Sequence, residues 1–107
     1  MQRFTIKRGD TSPALRYALI PSDITLAGAS VRFQMRLRGG STVIDAPATV
    51  VSVTPPVVQH VWQAGETAEV GWFEGEFRVQ YADNAIETFP NDGFINIFIG
   101  PDVEDLP

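Results

Sequence analysis

Two segments of this chain alternate apolar and polar side chains so regularly that a half-buried β-sheet is the natural way to fold them. In 31–38, Val31, Phe33, Met35 and Leu37 fall on one side and Arg32, Gln34, Arg36 and Arg38 on the other. In 72–81, Phe73, Gly75, Phe77, Val79 and Tyr81 face one way, and Trp72, Glu74, Glu76, Arg78 and Gln80 the other. Successive strand side chains point to opposite faces, so each segment predicts a strand with one buried and one solvated face. The second, with the longer inward row, is expected at the centre of its sheet. No stretch carries the 3.6-residue period of a long helix.

The punctuation between apolar runs agrees. Gly39-Gly40 follows the first strand and can adopt the positive φ of a tight turn, so 38–42 is a hairpin and 42–45 runs back antiparallel. Pro47 interrupts the next apolar run and predicts a bend before 48–53. Pro55-Pro56 ends that strand; 57–63 starts another, in which Val58, His60 and Trp62 share a side. Residues 65–70 read as a connection. Strands at 86–89 and 94–99 are set off by turns at Asp83-Asn84 and Pro90-Asn91-Asp92-Gly93, while Phe4 and Ile6 open the first strand and 14–20 holds the second. Seven to nine short strands spaced by about 8–12 residues define an all-β sandwich.

A chain of 107 residues can build one core and is too short for two, so 1–107 reads as one domain, with the acidic, proline-bounded 101–107 expected to fray. The absence of cysteine removes disulfides and thiolate metal sites. Nothing approaches an 18-residue apolar span, and the charged start MQRFTIKRGD has no apolar segment behind it, so a soluble chain made in the cytoplasm, with no membrane partner, is expected. The net charge of -5 argues against a nucleic-acid partner, because duplex affinity depends on cations that replace phosphate counterions. That charge is unevenly placed: residues 1–53 carry seven Lys or Arg against three Asp or Glu, and residues 54–107 one against ten.

Residues with chemical potential are few. His60 is the single histidine, which excludes a two-histidine site and makes a Ser/His/Asp triad or a multi-imidazole zinc site hard to assemble. It could serve as a pH switch or lone metal ligand, but reads first as a partly buried strand residue beside Trp62. Glu74 and Glu76, two apart on one strand, could set carboxyls ~7 Å apart, a spacing glycosidases use. Arg78 continues their row and nothing encloses it, so a solvated charge ladder is the expectation. Arg8-Gly9-Asp10 matches an integrin-recognised tripeptide and reads as a turn. Asn91-Asp92-Gly93 and Asp102-Val103-Glu104-Asp105 lack the spacing of a calcium loop, and Gly39-Gly40 lacks the lysine of a phosphate loop. No catalytic residue, cofactor or metal is expected, and the chain is not expected to be an enzyme.

What remains is surface. Trp72 falls on the outward side of its strand, where indole rings serve as interface hot spots or as platforms for sugars. Arg32, Arg36 and Arg38 line the outer face of the other strong strand. With the acidic second half they could drive head-to-tail association of copies, unless the two halves neutralise each other within one subunit. The candidate interface is therefore Arg32, Arg36, Arg38, Trp72, Glu74 and Glu76.

An ordered set of segments adds a family resemblance: Phe4 to Thr11, Gly28 to Arg36, Val58 to Trp62, Gly71-Trp72-Phe73-Glu74-Gly75-Glu76-Phe77 and Thr88-Phe89-Pro90-Asn91-Asp92-Gly93. In this order they resemble the immunoglobulin-like N-terminal domain of phage upper-baseplate proteins, a tail-tip family. The resemblance implies an immunoglobulin-like antiparallel β-sandwich. It also implies a virion structural protein of tail, baseplate or neck, made in the host cytoplasm, acting as an assembly or adaptor module. Its partners would be other virion proteins and further copies of itself. Family members are longer, so a chain ending after this domain suggests a small stand-alone component. Where immunoglobulin-like folds often place a corner tyrosine this chain has Phe73, so burial has to hold that corner. The alternative function is a carbohydrate-binding or capsid-decorating adhesion module using Trp72, with a glycan as partner.

Overall fold

Burial follows the alternation. In the computed structural model, which describes residues 3–20 and 23–103, Val31, Phe33 and Met35 are buried while Arg32 and Arg36 are exposed, and Phe73, Phe77 and Val79 are buried while Arg78 and Gln80 are exposed. The described residues form nine strands: β1 Arg3–Lys7, β2 Leu15–Ala18, β3 Ser30–Leu37, β4 Thr42–Pro47, β5 Thr49–Ser52, β6 Val57–His60, β7 Gly71–Gln80, β8 Ile86–Phe89 and β9 Ile95–Gly100.

They make two sheets. The larger runs β1-β9-β7-β3-β4, with β8 also on β7; the smaller runs β2-β6-β5. The long strand β7 is central: β3 pairs along one side, while β9 takes Gly71 to Gly75 and β8 takes Phe77 to Gln80 on the other. Every pairing is antiparallel except β1 with β9, which is parallel. The architecture is an all-β sandwich of two sheets, as the alternation led one to expect.

The turn chemistry accounts for the connections. Gly39 adopts φ +71° between β3 and β4, a conformation glycine enters without a Cβ penalty. The bend expected at Pro47 carries the chain between sheets: β4 ends there, the Ala48 N–H donates to the Val31 carbonyl at 2.8 Å, and β5 joins β6 in the smaller sheet. The segment expected as a strand over 57–63 stops at His60. Beyond it the Glu66 carboxylate accepts the Gln63 N–H at 2.7 Å and turns the chain. Leu37, expected inward, is 38% exposed because it lies at the end of β3, past the edge of the core. Val103 is exposed, and the remainder of the tail expected to fray, 104–107, lies outside the described residues.

The core between the sheets centres on Phe33, which is fully buried. Its ring stacks on His60 at 4.4 Å, tilts against Phe77 at 5.1 Å and meets the Trp62 ring edge-on at 5.9 Å. Gly75 makes room for it, since a Cβ there would sit 2.7 Å from Ile97 Cδ1 and 3.1 Å from Phe33 Cε1. Phe73 is 3% exposed, so burial does hold the corner that lacks a tyrosine hydroxyl. Truncating Phe33 would leave a cavity among His60, Phe77 and Trp62. Phe33→Ala is expected to cost about 3–5 kcal/mol, read as a lower midpoint in urea unfolding with an unchanged slope; a loss under about 1 kcal/mol would contradict this ring's central place.

Candidate binding face

The outer face of the larger sheet is built by cross-strand rows. Thr5, Phe98 and Trp72 align across β1, β9 and β7, and the Arg38 N–H donates to the Trp72 carbonyl at 3.1 Å, extending the row by one residue. The next row runs Arg3, Asn96, Glu74, Arg36 and Thr42. Neighbours in such rows lie within side-chain reach, so their chemistry is coupled.

The coupling is visible in every candidate residue but one. Arg36 Nε donates to Glu74 Oε1 at 2.9 Å, and Arg32 Nε to Asp45 Oδ1 at 2.9 Å. Arg38 Nη2 donates to Asn96 Oδ1 at 3.1 Å. Trp72 is half-buried: its ring lies 4.7 Å from Phe98, and the guanidinium groups of Arg38 and Arg3 sit over it at 5.1 and 5.5 Å. Glu76, the remaining candidate, lines a small cleft with Gln34, Arg36, Thr42, Glu74 and Phe94. The two carboxylates considered as a glycosidase pair thus occupy one row of a charged surface, and Glu74 is committed to Arg36.

Arg3, Asn96 and Phe98 belong to this face and were not among the candidates. The signal was available for the last two: with Ile95, Ile97 and Ile99 inward, alternation puts Asn96 and Phe98 outward beside Trp72. Arg3 joins through the parallel β1–β9 pairing, a long-range contact that no local pattern announces.

His60 lies in the smaller sheet and faces the core. It is 3% exposed, stacked on Phe33, and its Nε2 is 2.9 Å from Glu66 Oε1. Glu66 also receives the Gln63 N–H, so this carboxylate joins the end of β6 to the loop that follows. The loop is fixed further by the buried Thr67, whose hydroxyl donates to the Asp10 carbonyl at 2.8 Å, and by the Gly9 N–H, which donates to the Thr67 carbonyl at 3.1 Å. Arg8-Gly9-Asp10 is accordingly a turn, with Gly9 at φ +84°.

A transition-metal ion needs several thiolate, thioether, imidazole or carboxylate donors converging on one point. Among the described residues no cluster of three or more His, Cys, Asp or Glu could hold one. His60 has its Nε2 on Glu66, and Met35 is sunk in the core. These residues do not fit a metal centre.

The class of protein these observations define is a β-sandwich with an aromatic and cationic patch on one outer face. Among solved structures, CopC from Methylosinus trichosporium OB3b is similar, with a TM-score of 0.59 and 16% identity over all of this chain and 91% of that one. The chain therefore has a CopC-like β-sandwich fold. No protein-family model matches it, and no curated protein does.

This corrects the resemblance to phage upper-baseplate domains. With it fall the structural role in tail, baseplate or neck, the capsid-decorating alternative, and the virion location after synthesis in a host cytoplasm. The full-length likeness is to CopC, and nothing in it speaks of a virion. The physical reason is plain in the fold: Gly28 to Arg36 leads into and along β3, Gly71 to Phe77 forms most of β7, and Thr88 to Gly93 is the end of β8 with its turn. These segments carry the demands of a sandwich, which many functions share.

Two outcomes test the polar structure. Glu66→Ala removes the partner of a buried imidazole and of the Gln63 N–H, so it should cost about 1–3 kcal/mol in thermal or urea unfolding; Glu66→Gln, which keeps an acceptor, should cost less. The second concerns the tyrosines. Burial first, then the hydrogen bond donated to Glu87 at 2.7 Å and the charge of that carboxylate, push the Tyr81 hydroxyl well above the usual range. Burial raises Tyr17 as well. A raised tyrosine pKa favours the protonated native state, so its contribution is fully present below the unfolded value of about 10 and is lost as pH rises through the folded value. Tyrosinate absorbance should stay flat near pH ~10 and climb only as the near-ultraviolet circular dichroism collapses. Ionisation of either ring in the intact fold at that pH would refute this.

Proposed function

We propose that this chain is a non-catalytic binding module that attaches through the outer face of its larger sheet, centred on Trp72. One observation carries the reading: an indole at an outward strand position, backed by Phe98 at 4.7 Å and overlaid by two guanidinium groups. Tryptophan and arginine dominate interface hot spots because they combine large contact area with directed donors. A non-enzymatic role agrees with a lone histidine locked into the core and with carboxylates committed to charge pairs.

Two other partners are less well served. A sugar stacks on an open aromatic face, and here Arg3 and Arg38 lie over the ring. Head-to-tail association of copies would need flanks of opposite sign. Arg36 with Glu74 and Arg32 with Asp45 instead cancel charge within one chain.

The test is selection of binding peptides from a random displayed library on the immobilised chain. Selected peptides should lose about tenfold or more in affinity on Trp72→Ala, the ~1.4 kcal/mol or more expected of a hot spot, with unfolding unchanged within about 1 kcal/mol. Peptides that bind Trp72→Ala undiminished would overturn the reading.

A further inference from the structure

Resting on that reading, we infer that the occupant of the Trp72 face is an acidic extended protein segment, whose carboxylates are received by Arg3 and Arg38. Both guanidinium groups lie over the same indole, at 5.5 and 5.1 Å from its centre, and neither is paired with a carboxylate among the described residues. Two other arginines of this face differ: Arg36 is held by Glu74 and Arg32 by Asp45. An arginine with no acidic partner beside an aromatic ring is a charge left for something else.

The geometry suits that role. A guanidinium that stacks on a ring uses its flat face, and its N–H donors point outward in its own plane, where they match the two oxygens of a carboxylate. Arg38 spends one nitrogen, Nη2, on Asn96 at 3.1 Å. Contact with the ring restricts both side chains, so less freedom is lost when the ligand arrives. Carboxylates two residues apart on an extended chain stand ~7 Å from one another, a spacing suited to arginines that flank a single ring, while residues between them can lie on the exposed edges of Trp72 and Phe98.

Charge decides between an acidic protein and a nucleic acid. A nucleic-acid track needs a long line of cations to replace phosphate counterions, and the Trp72 ring carries Arg3 and Arg38. The two guanidinium groups at the Trp72 ring are enough for two carboxylates and too few for a phosphate backbone.

The experiment is a titration of the full chain with an acetylated, amidated peptide of four Glu-Thr repeats, followed by tryptophan fluorescence and by isothermal calorimetry at two salt concentrations. Expected are saturable binding that weakens with salt, a loss of about fivefold or more for each of Arg3→Gln and Arg38→Gln, and no change for Arg16→Gln on the other sheet. Unfolding curves of each variant verify the fold. The Lys-Thr counterpart should not bind. The inference is overturned if the acidic peptide does not bind, if Arg3→Gln and Arg38→Gln leave its affinity unchanged, or if a single-stranded oligonucleotide of equal charge binds more tightly. It is overturned too if sedimentation shows copies of the chain associating in a way that Arg38→Gln abolishes, since the occupant is then a second copy. These failures are separable from failure of the underlying reading: neutral library peptides that still require Trp72 would sink the acidic segment and keep the face.

Discussion

The register of β3 on β7 fixes both what the sandwich buries and what it displays. Val31 lies opposite Val79 and Phe33 opposite Phe77, so the inner faces of the two longest strands meet in aligned apolar pairs. The same register puts Arg36 opposite Glu74 and Gln34 opposite Glu76 on the outer face. Because strand side chains alternate with a period of two, a slip of β3 by one residue against β7 would send Phe33 to solvent and Arg32 and Arg36 into the core. Packing therefore enforces the surface arrangement: the outer ion pairs are too exposed to set the register themselves, since exposed pairs of this kind contribute about 0–1 kcal/mol.

The core also explains why the histidine is structural. Phe33 projects from the larger sheet onto His60 of β6 in the smaller one, so that stack is one of the contacts joining the two layers. A buried imidazole needs a polar partner, and Glu66 supplies it from the loop beyond β6. That demand, together with the N–H of Gln63, shapes a loop whose sequence shows no regular pattern. The cost of burying polar atoms is not met everywhere: Trp62 Nε1 has no hydrogen-bond partner among the described residues, so this indole acts through packing against Phe4, Phe33 and His60.

Strand placement was legible in the sequence wherever the alternation was clean and a Gly or Pro closed it. The segments 31–38, 42–45, 72–81, 86–89 and 94–99 match β3, β4, β7, β8 and β9 to within a residue or two at their ends. Trp72 could be placed outward by the same rule. What local pattern does not contain is which strands become neighbours. Pairing of β1 with β9 brings the ends of the described chain together and lays Arg3 over Trp72, and a contact across so much sequence leaves no periodic trace. The exchange of sheets at Pro47 was visible as a bend, though not its destination.

The division of charge between sequence halves shows why such placement matters for function. Counted along the chain, 1–53 is basic and 54–107 acidic, which suggests a dipolar subunit. Folding interleaves the halves in one sheet, because β3 comes from the first and β7 from the second, and Arg36 meets Glu74 across that seam. Part of the asymmetry on this face is thus spent internally. Arg3 beside Asn96 and Arg38 beside Trp72 keep neutral neighbours in their rows, while Arg78 lies opposite Arg32 and Thr88. Two cations of like sign around one aromatic ring add a local positive field there. That is where a partner of opposite sign would be drawn and oriented.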